Sequence, residues 1–461
     1  MSSTFLGIDI GTTTLKICLI NEKKEIIKEA DATPNATVKL DDPSVEKGHE
    51  QDPRKIVQSI FDQLQSFDLS KVNLIGISGQ MHGVVLWNAE SLFSADHTKI
   101  SMETWECSNL ITWMDHRCNK EFLSKLPKWP NETIATGFGS VTLAWLKQNN
   151  KLDSKWGSSG TIMDFIATLL TNNAGQACIS TQNAHGWGYR CGQQWTIKDN
   201  SNFPCHLFPK IIPNGQIVGK TKNCEQFNLP ENVGVLATMG DVQTSLMPIL
   251  RENEAVIQLG TGSQIAFLVD DAKWKDELIT SYPALTKVPY FNGKSVVVAV
   301  GMNAGNSLDV FVKQVAQWSH ALFGIPMENM VLKPELLKNL FSESKTATKL
   351  EVRPVFYAER HSPGVYGTEV KNWTKETTAE DFLQAIARGI IGALAEMVPS
   401  TVISQCGLQD IRVVNRASQP IFEQAAKDYY PSMKIHRGTT SSASAAYGAA
   451  LHALDVFTIN K

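Results

Sequence analysis

Gly7-Ile8-Asp9-Ile10-Gly11-Thr12-Thr13-Thr14-Leu15-Lys16 is the stretch on which the reading of the chain turns. It joins two short apolar runs, Phe5–Ile10 and Leu15–Ile20. A run, a turn and a second run predict a β-hairpin with glycine and threonines at its tip. Glycine lets backbone approach a phosphate, and the threonines add hydroxyl donors. Asp9, just before the tip, suits a magnesium ion, which prefers oxygen ligands and keeps several waters. For one tip alone, a plain hairpin turn is the competing reading. The tip recurs, however, as Leu259-Gly260-Thr261-Gly262-Ser263, with Gln258 in the place of Asp9. Two such tips predict a duplicated nucleotide-handling fold. Neither has the G-x-x-x-x-G-K-[ST] spacing of a P-loop, nor G-x-G-x-x-G opening a helix as in a Rossmann site.

Working outward, Glu25–Ala30 reads as a third strand. Asp52-Pro53 opens a helix, with Asp52 as N-cap and Pro53 at the first helical position. Ile56, Val57, Ile60, Phe61 and Leu64 share one face of it. Val72–Ser78 is a buried strand ending at the loop Ser78–Gly83, and Val84–Trp87 and Leu110–Met114 are further strands. The polar segment 88–108 between them reads as a surface excursion. Helical patterns cover Val141–Gln148, Ile162–Thr171, Asn306–His320, Ala379–Met397 and Ser442–Leu454. The charged run Arg251–Glu254 before the second hairpin, Ala255–Val269, marks a domain boundary. Strands alternating with helices on both sides of it predict two α/β domains, 1–248 and 249–461.

The totals agree with an ordinary globular chain. It has 461 residues, 43% of them hydrophobic and 19% charged, with a formal net charge of −3. That balance gives no electrostatic case for nucleic acid or an anionic membrane. No apolar run approaches a membrane span, and the N-terminus lacks a basic n-region. The eight cysteines are scattered without a C-x-x-C pair, so reduced thiols in a cytoplasmic protein are expected.

Three further features carry chemistry. In Met239-Gly240-Asp241-Val242-Gln243 an aspartate follows an apolar run. It is placed either as the base for a phosphoryl-acceptor hydroxyl or as the N-cap of a helix. In Gln80-Met81-His82, at a strand end where α/β proteins bind ligands, glutamine and histidine are either sugar-hydroxyl contacts or a self-satisfied loop. Eight of the eleven tryptophans lie before residue 200. Aromatic faces pack on sugar C–H faces, so the bias suggests a sugar site in the first half, with core packing as the alternative.

Together these segments resemble the FGGY family of carbohydrate kinases, whose actin-like (ribonuclease H-like) fold is shared with hexokinase and the 70-kDa heat-shock proteins. Gly7–Lys16 and Gln258–Gln264 resemble the family's two phosphate motifs. Asp241 matches its catalytic aspartate, Trp113, Asp115 and Arg117 its Trp-x-Asp-x-Arg signature, and Glu359-Arg360 its Glu-Arg pair. Gln80-Met81-His82-Gly83 resembles the ketose kinases. Within that group Ser78–Val85, Ala135–Gly139, and Gln182-Asn183-Ala184 followed by Trp187-Gly188-Tyr189 resemble the kinases of seven-carbon ketoses.

The resemblance implies two actin-like domains hinged around a cleft. It implies ATP and Mg²⁺, the metal at Asp9, and transfer to the C7 hydroxyl of sedoheptulose. A xylulose-type ketose kinase and a nucleotide-impaired sugar binder are the alternatives. Gly11, Thr12, Thr13, Gly260, Thr261, Gly305 and Asn415 are then expected at the nucleotide. Gln80, Met81, His82, Asp241 and Gln243 are expected at the sugar, with Asp241 as the base. A small ketose and ATP are the expected partners, with no nucleic acid or membrane, and a homodimer stays open. The chain departs from the family in its adenosine loop, Asn415-Arg416-Ala417-Ser418-Gln419-Pro420, which lacks the usual glycines. It departs also at Val242 after the catalytic aspartate and at Thr142, where a lysine is usual.

Overall fold

The computed structural model describes residues 3–460 except 43–44, 46, 94–99, 101, 131, 174, 261, 271, 273, 276, 328–329, 331–347, 360, 363 and 439–443. The chain forms two compact units. The first comprises Met1–Pro248, Pro289–Gly293 and Ser442–Lys461; the second comprises Ile249–Val288 and Lys294–Ser441. The second unit begins at Ile249. The closing segment does not stay with the second half, as the expected range 249–461 had it.

In the first unit the opening hairpin is β1 (Thr4–Ile10) and β2 (Leu15–Asn21), extended by β3 (Ile26–Ala32). All three are antiparallel, with Ile10 opposite Leu15 across the four-residue tip. Helix α1 (Pro53–Leu64) starts as expected, Asp52 accepting from Arg54 N–H. Strand β4 (Val72–Gly79) pairs parallel with β1. Helices α2 (Gly139–Gln148), α3 (Ile162–Thr171) and α4 (Thr181–Trp187) follow. Then come β5 (Ile217–Lys220), β6 (Gly234–Leu236), the short β7 (Met239–Gly240) and α5 (Asp241–Leu246). The sheet runs β5-β6-β4-β1-β2-β3, with β7 also on β4.

One face of this sheet carries α1 and α3. Ile56, Val57, Ile60, Phe165, Ile166 and Leu169 pack there with Leu6, Ile8, Ile75 and Ile77. The other face carries the closing helix, Ala445–Ile459, through Ala446, Tyr447, Ala450, Leu451 and Leu454 against Phe5, Cys18, Ile20 and Leu74. Its alanines permit backbone-on-backbone packing. A Cβ on Gly7 of β1 would stand 1.9 Å from Ala446 O, and one on Gly448 would stand 1.8 Å from Thr244 O. Among the described residues of 88–108, expected as a surface excursion, Leu92, Phe93, Ile100 and Trp105 are buried in the core. Its charged residues Glu90, Glu103 and Glu106 stay exposed between these apolar anchors.

The second unit repeats the plan. β8 (Glu254–Leu259), β9 (Ser263–Val269), β10 (Thr286–Pro289) and β11 (Ser295–Gly301) precede α6 (Gly305–Phe323) and α7 (Ala379–Met397). β12 (Asp410–Asn415), α8 (Pro420–Tyr429) and β13 (Lys434–Arg437) complete it. The sheet order is β10-β11-β9-β8-β12-β13. β8, β9 and β11 are antiparallel, as β1, β2 and β3 are, and β12 and β13 add parallel strands. Helices α7 and α8 bury Ile386, Ile390, Leu394, Phe422 and Ala425 on this sheet. Among the described residues, no helix is long and apolar enough to cross a membrane.

Candidate active site

Parallel pairing puts three strand ends side by side in the first unit. Ile10 of β1 lies opposite Gly79 of β4, and Gly79 opposite Gly240 of β7. The residues that follow, or stand at, these ends are Asp9, Gln80 and Asp241. They are far apart in sequence and are brought together only by the sheet. Carboxyl ends of adjoining parallel strands are where open α/β sheets bind ligands.

Asp9 is the carboxylate of the first tip. Burial raises its pKa to about 6, against the opposing effects of a Ser78 hydroxyl bond and Lys16. Ser78 Oγ donates to Asp9 Oδ1 at 3.0 Å. A single desolvated carboxylate is a poor permanent anion and a good neighbour for a cation. Among the described residues, no three His, Cys, Asp or Glu side chains form a metal-binding group. A lone carboxylate of this kind is an oxygen ligand of the sort magnesium prefers.

The tip is braced from three sides. Gly11 N–H bonds Thr14 O at 3.0 Å and closes the turn. Trp113 Nε1 donates to Thr12 Oγ1 at 2.9 Å, and Gln51 Nε2 donates to Thr12 O at 2.7 Å. Gln80 Nε2 donates to Gln51 Oε1 at 2.9 Å, and Thr12 Oγ1 lies 3.4 Å from Gln80 Oε1. Gln80 is thus buried in a bracing network rather than presented as a sugar contact, while Thr13 is exposed. Gln51 was not singled out by the sequence, since no motif surrounds it. Behind Trp113, Arg117 is buried between Asp115 and Glu50, with ion pairs at 2.8 and 2.6 Å.

The expected sugar residues divide. Met81 is buried against Gly240, and a Cβ there would meet its sulfur at 2.4 Å. His82 adopts φ 76°, an unusual value for a side-chain-bearing residue. Its Nδ1–H donates to Gly186 O, and its ring stacks on Phe138 at 4.9 Å. In a neutral imidazole that bond sets the Nδ1–H tautomer. Asp241 is the first residue of α5 and not its N-cap, which is Gly240. Its Oδ1 accepts from Val242 N–H at 2.7 Å. Gln243, expected at the sugar, is fully buried and gives its amide to Pro289 O at 3.2 Å.

The tryptophans also divide. Trp87, Trp105, Trp129, Trp145 and Trp187 are core residues, and of the eight before residue 200 only Trp113 is exposed, at 39%. Their number in the first half therefore reports packing, with indole N–H groups such as those of Trp105 and Trp187 bonded to buried carbonyls.

In the second unit Gly260 N–H bonds Gly262 O at 2.9 Å, and Gly305 N–H bonds Gly260 O at 3.2 Å. Gly305 opens the 19-residue helix α6, and a Cβ on it would stand 2.9 Å from Arg416 Nη1. Leu259 pairs with Asn415 across β8 and β12. The second tip, a long helix's N-terminus and the Asn415 loop are therefore neighbours, a combination suited to an anionic ligand. Asn415 takes φ 54°, ψ −132°. That positive-φ turn conformation lies outside αL and is one glycine usually takes; here asparagine holds it. Glu359 accepts from Met302 N–H and Asn303 Nδ2, both at 2.7 Å, and so holds the turn before α6. Thr261 and Arg360 lie outside the described residues.

Two α/β units of one plan, each with a glycine tip at its central hairpin, define the actin-like fold of sugar kinases. Solved structures agree on the fold. A xylulose kinase from Rhodospirillum rubrum is 16% identical with a TM-score of 0.74, covering 99% of this chain and 90% of that one. A Plasmodium falciparum glycerol kinase with ADP is 19% identical with the same TM-score and the same coverage of both chains. Residues 4–248 match the N-terminal domain of the FGGY family of carbohydrate kinases, and the chain belongs to that family. Curated relatives include the mouse sedoheptulokinase, 29% identical over 97% of this chain and 96% of its own length. A Staphylococcus xylosus xylulose kinase is 22% identical over 85% of this chain and 78% of its own.

Proposed function

We propose that the chain transfers the γ-phosphoryl group of ATP to the C7 primary hydroxyl of sedoheptulose, giving sedoheptulose 7-phosphate. The observation that carries the reaction is the adjacency of Asp9, the Met81-His82 loop and Asp241 at joined strand ends of one unit. The substrate rests on near full-length similarity to sedoheptulokinases, against the shorter and weaker match to the xylulose kinase of Staphylococcus xylosus.

In this reading Met81 and His82 hold the ketose, and Asp241 takes the proton of the attacking hydroxyl. Gln80 acts one step removed, by fixing Thr12. Gly11, Thr12 and Thr13 in the first unit, and Gly260, Thr261, Gly305 and Asn415 in the second, contact the nucleotide. Asp9 would hold Mg²⁺, which when bound would supply positive charge against that on the transferring group. Catalysis then comes from positioning and electrostatics, as is general for phosphoryl transfer.

The test is ketose-dependent ADP release, measured as kcat/KM over five-, six- and seven-carbon ketoses. Sedoheptulose is expected to lead; xylulose leading overturns the substrate assignment. Asp241→Ala is expected to lose roughly 10²- to 10⁴-fold in kcat, and near-normal turnover removes Asp241 from the base role.

A further inference from the structure

The stretch Gln182-Asn183 stands on α4, outside the residues assigned above, yet it grips the backbone that carries Asp241. Gln182 Oε1 accepts from Gly240 N–H at 3.4 Å, on the residue immediately before Asp241. Asn183 Nδ2 donates to Thr238 Oγ1 at 2.9 Å. Thr238 in turn donates to Asp164 Oδ1, a buried carboxylate that also caps α3 through Thr161. Four residues further along α4, Gly186 O holds the His82 imidazole. Gln182 and Gly186 are one turn apart and share a face. One short helix is therefore tied to both halves of the acceptor site.

The two amides are fully buried and half used. Gln182 Nε2 and Asn183 Oδ1 have no partner among the described residues. A buried amide with an unmade bond is costly to keep, and an apolar side chain of the same volume would avoid that cost. Retaining the amides makes sense where their other ends must fix something. What those ends fix is the Thr238–Asp241 turn.

We propose that Gln182 and Asn183 are positioning residues, which set Asp241 in register with His82 without touching substrate. The inference rests on the kinase reading given above. A misplacement of a reacting group by about 1 Å costs on the order of 100-fold in rate. The substitution Gln182→Met keeps the side chain's length and removes the acceptor for Gly240 N–H. The expected result is a roughly 10- to 100-fold fall in kcat, with the ketose KM changed less than about threefold.

Thr238→Val and Thr238→Ser form the second pair. Valine deletes the hydroxyl between Asn183 and Asp164 and lowers kcat; serine restores the hydroxyl and is expected to recover most of it. This pair carries the test if Gln182→Met does not fold, as judged by thermal unfolding. A folded Gln182→Met with normal kcat overturns the inference, as does a loss confined to KM, or a Thr238→Ser no better than Thr238→Val. Wild-type turnover, measured alongside, separates the two levels. An active wild type with unimpaired variants sinks this inference alone. A wild type without ketose-dependent turnover sinks the kinase reading and this inference with it.

Discussion

Asp9→Asn is expected to make the ligand-free protein more stable while it abolishes activity. The carboxyl's pKa rises from an ordinary 3.8 to about 6 because the folded protein strips it of water. A shift of that size corresponds to about 3 kcal/mol of preference for the neutral form. Water reaching a partly exposed group reduces it, and about 1–2 kcal/mol is the working figure. Folding raises this pKa, so the native state holds the proton more tightly than the unfolded chain does. The stabilisation is complete below pH 3.8 and is lost as pH rises through 6. At pH 7 the wild type carries the full cost of a buried charge, and asparagine carries none.

The amide oxygen of asparagine can still accept from Ser78 Oγ, so little packing is disturbed. For a unit of this size the gain corresponds to roughly 2–8 °C in Tm. Calorimetry without nucleotide or metal at pH 5, 6 and 7 measures it, and the variant's advantage should grow over that range. Asp164, whose pKa is also raised to about 6 by burial, slopes both proteins equally and cancels in the difference. Saturating MgATP should erase the advantage, because a cation beside Asp9 repays the charge in the wild type only. A variant less stable at pH 7, or an advantage independent of pH, refutes the reasoning.

Three other outcomes follow from the packing. Arg117→Met leaves Asp115 and Glu50 without their buried cation and should cost about 3–5 kcal/mol in urea unfolding; a loss below about 1 kcal/mol contradicts it. Gly448→Ala sets a methyl 1.8 Å from Thr244 O, and a destabilisation of about 1–3 kcal/mol is expected from the forced shift. A Tm equal to the wild type's would show that the closing helix yields freely. At Asn415, held at φ 54°, alanine should cost about 1–2 kcal/mol while glycine costs little or nothing; equal denaturation midpoints for the two variants would show that the bend is unstrained.

The hairpins, their glycine tips and the capped helix α1 were legible because each is local: an apolar period, a turn residue, a cap. The β7–α5 junction at Asp241 was legible as a glycine followed by an acid after an apolar run. Long-range packing was not. Nothing near residue 450 announces that its helix packs on β1, because alanines suit any close-packed surface. Gln243 carried the polarity of a ligand contact, and only the position of Pro289 shows where its amide goes. The tryptophans misled for a related reason: an indole is both a sugar-stacking surface and the largest available core filler, and composition cannot choose between them.

The packing of the closing helix on β1 and β4 has a consequence for biosynthesis. The sheet of the first unit is laid down within the first 240 residues, but the wall that covers one of its faces is not made until residue 459. On a ribosome, Phe5, Ile20 and Leu74 stay uncovered while the whole second unit is translated. Domains commonly fold in order as they emerge; here the later unit can finish first and the earlier one must wait. During that interval the nascent chain presents an apolar sheet face of the kind chaperones hold, and a premature stop anywhere before Ala445 leaves the first unit unfinished however far upstream it lies.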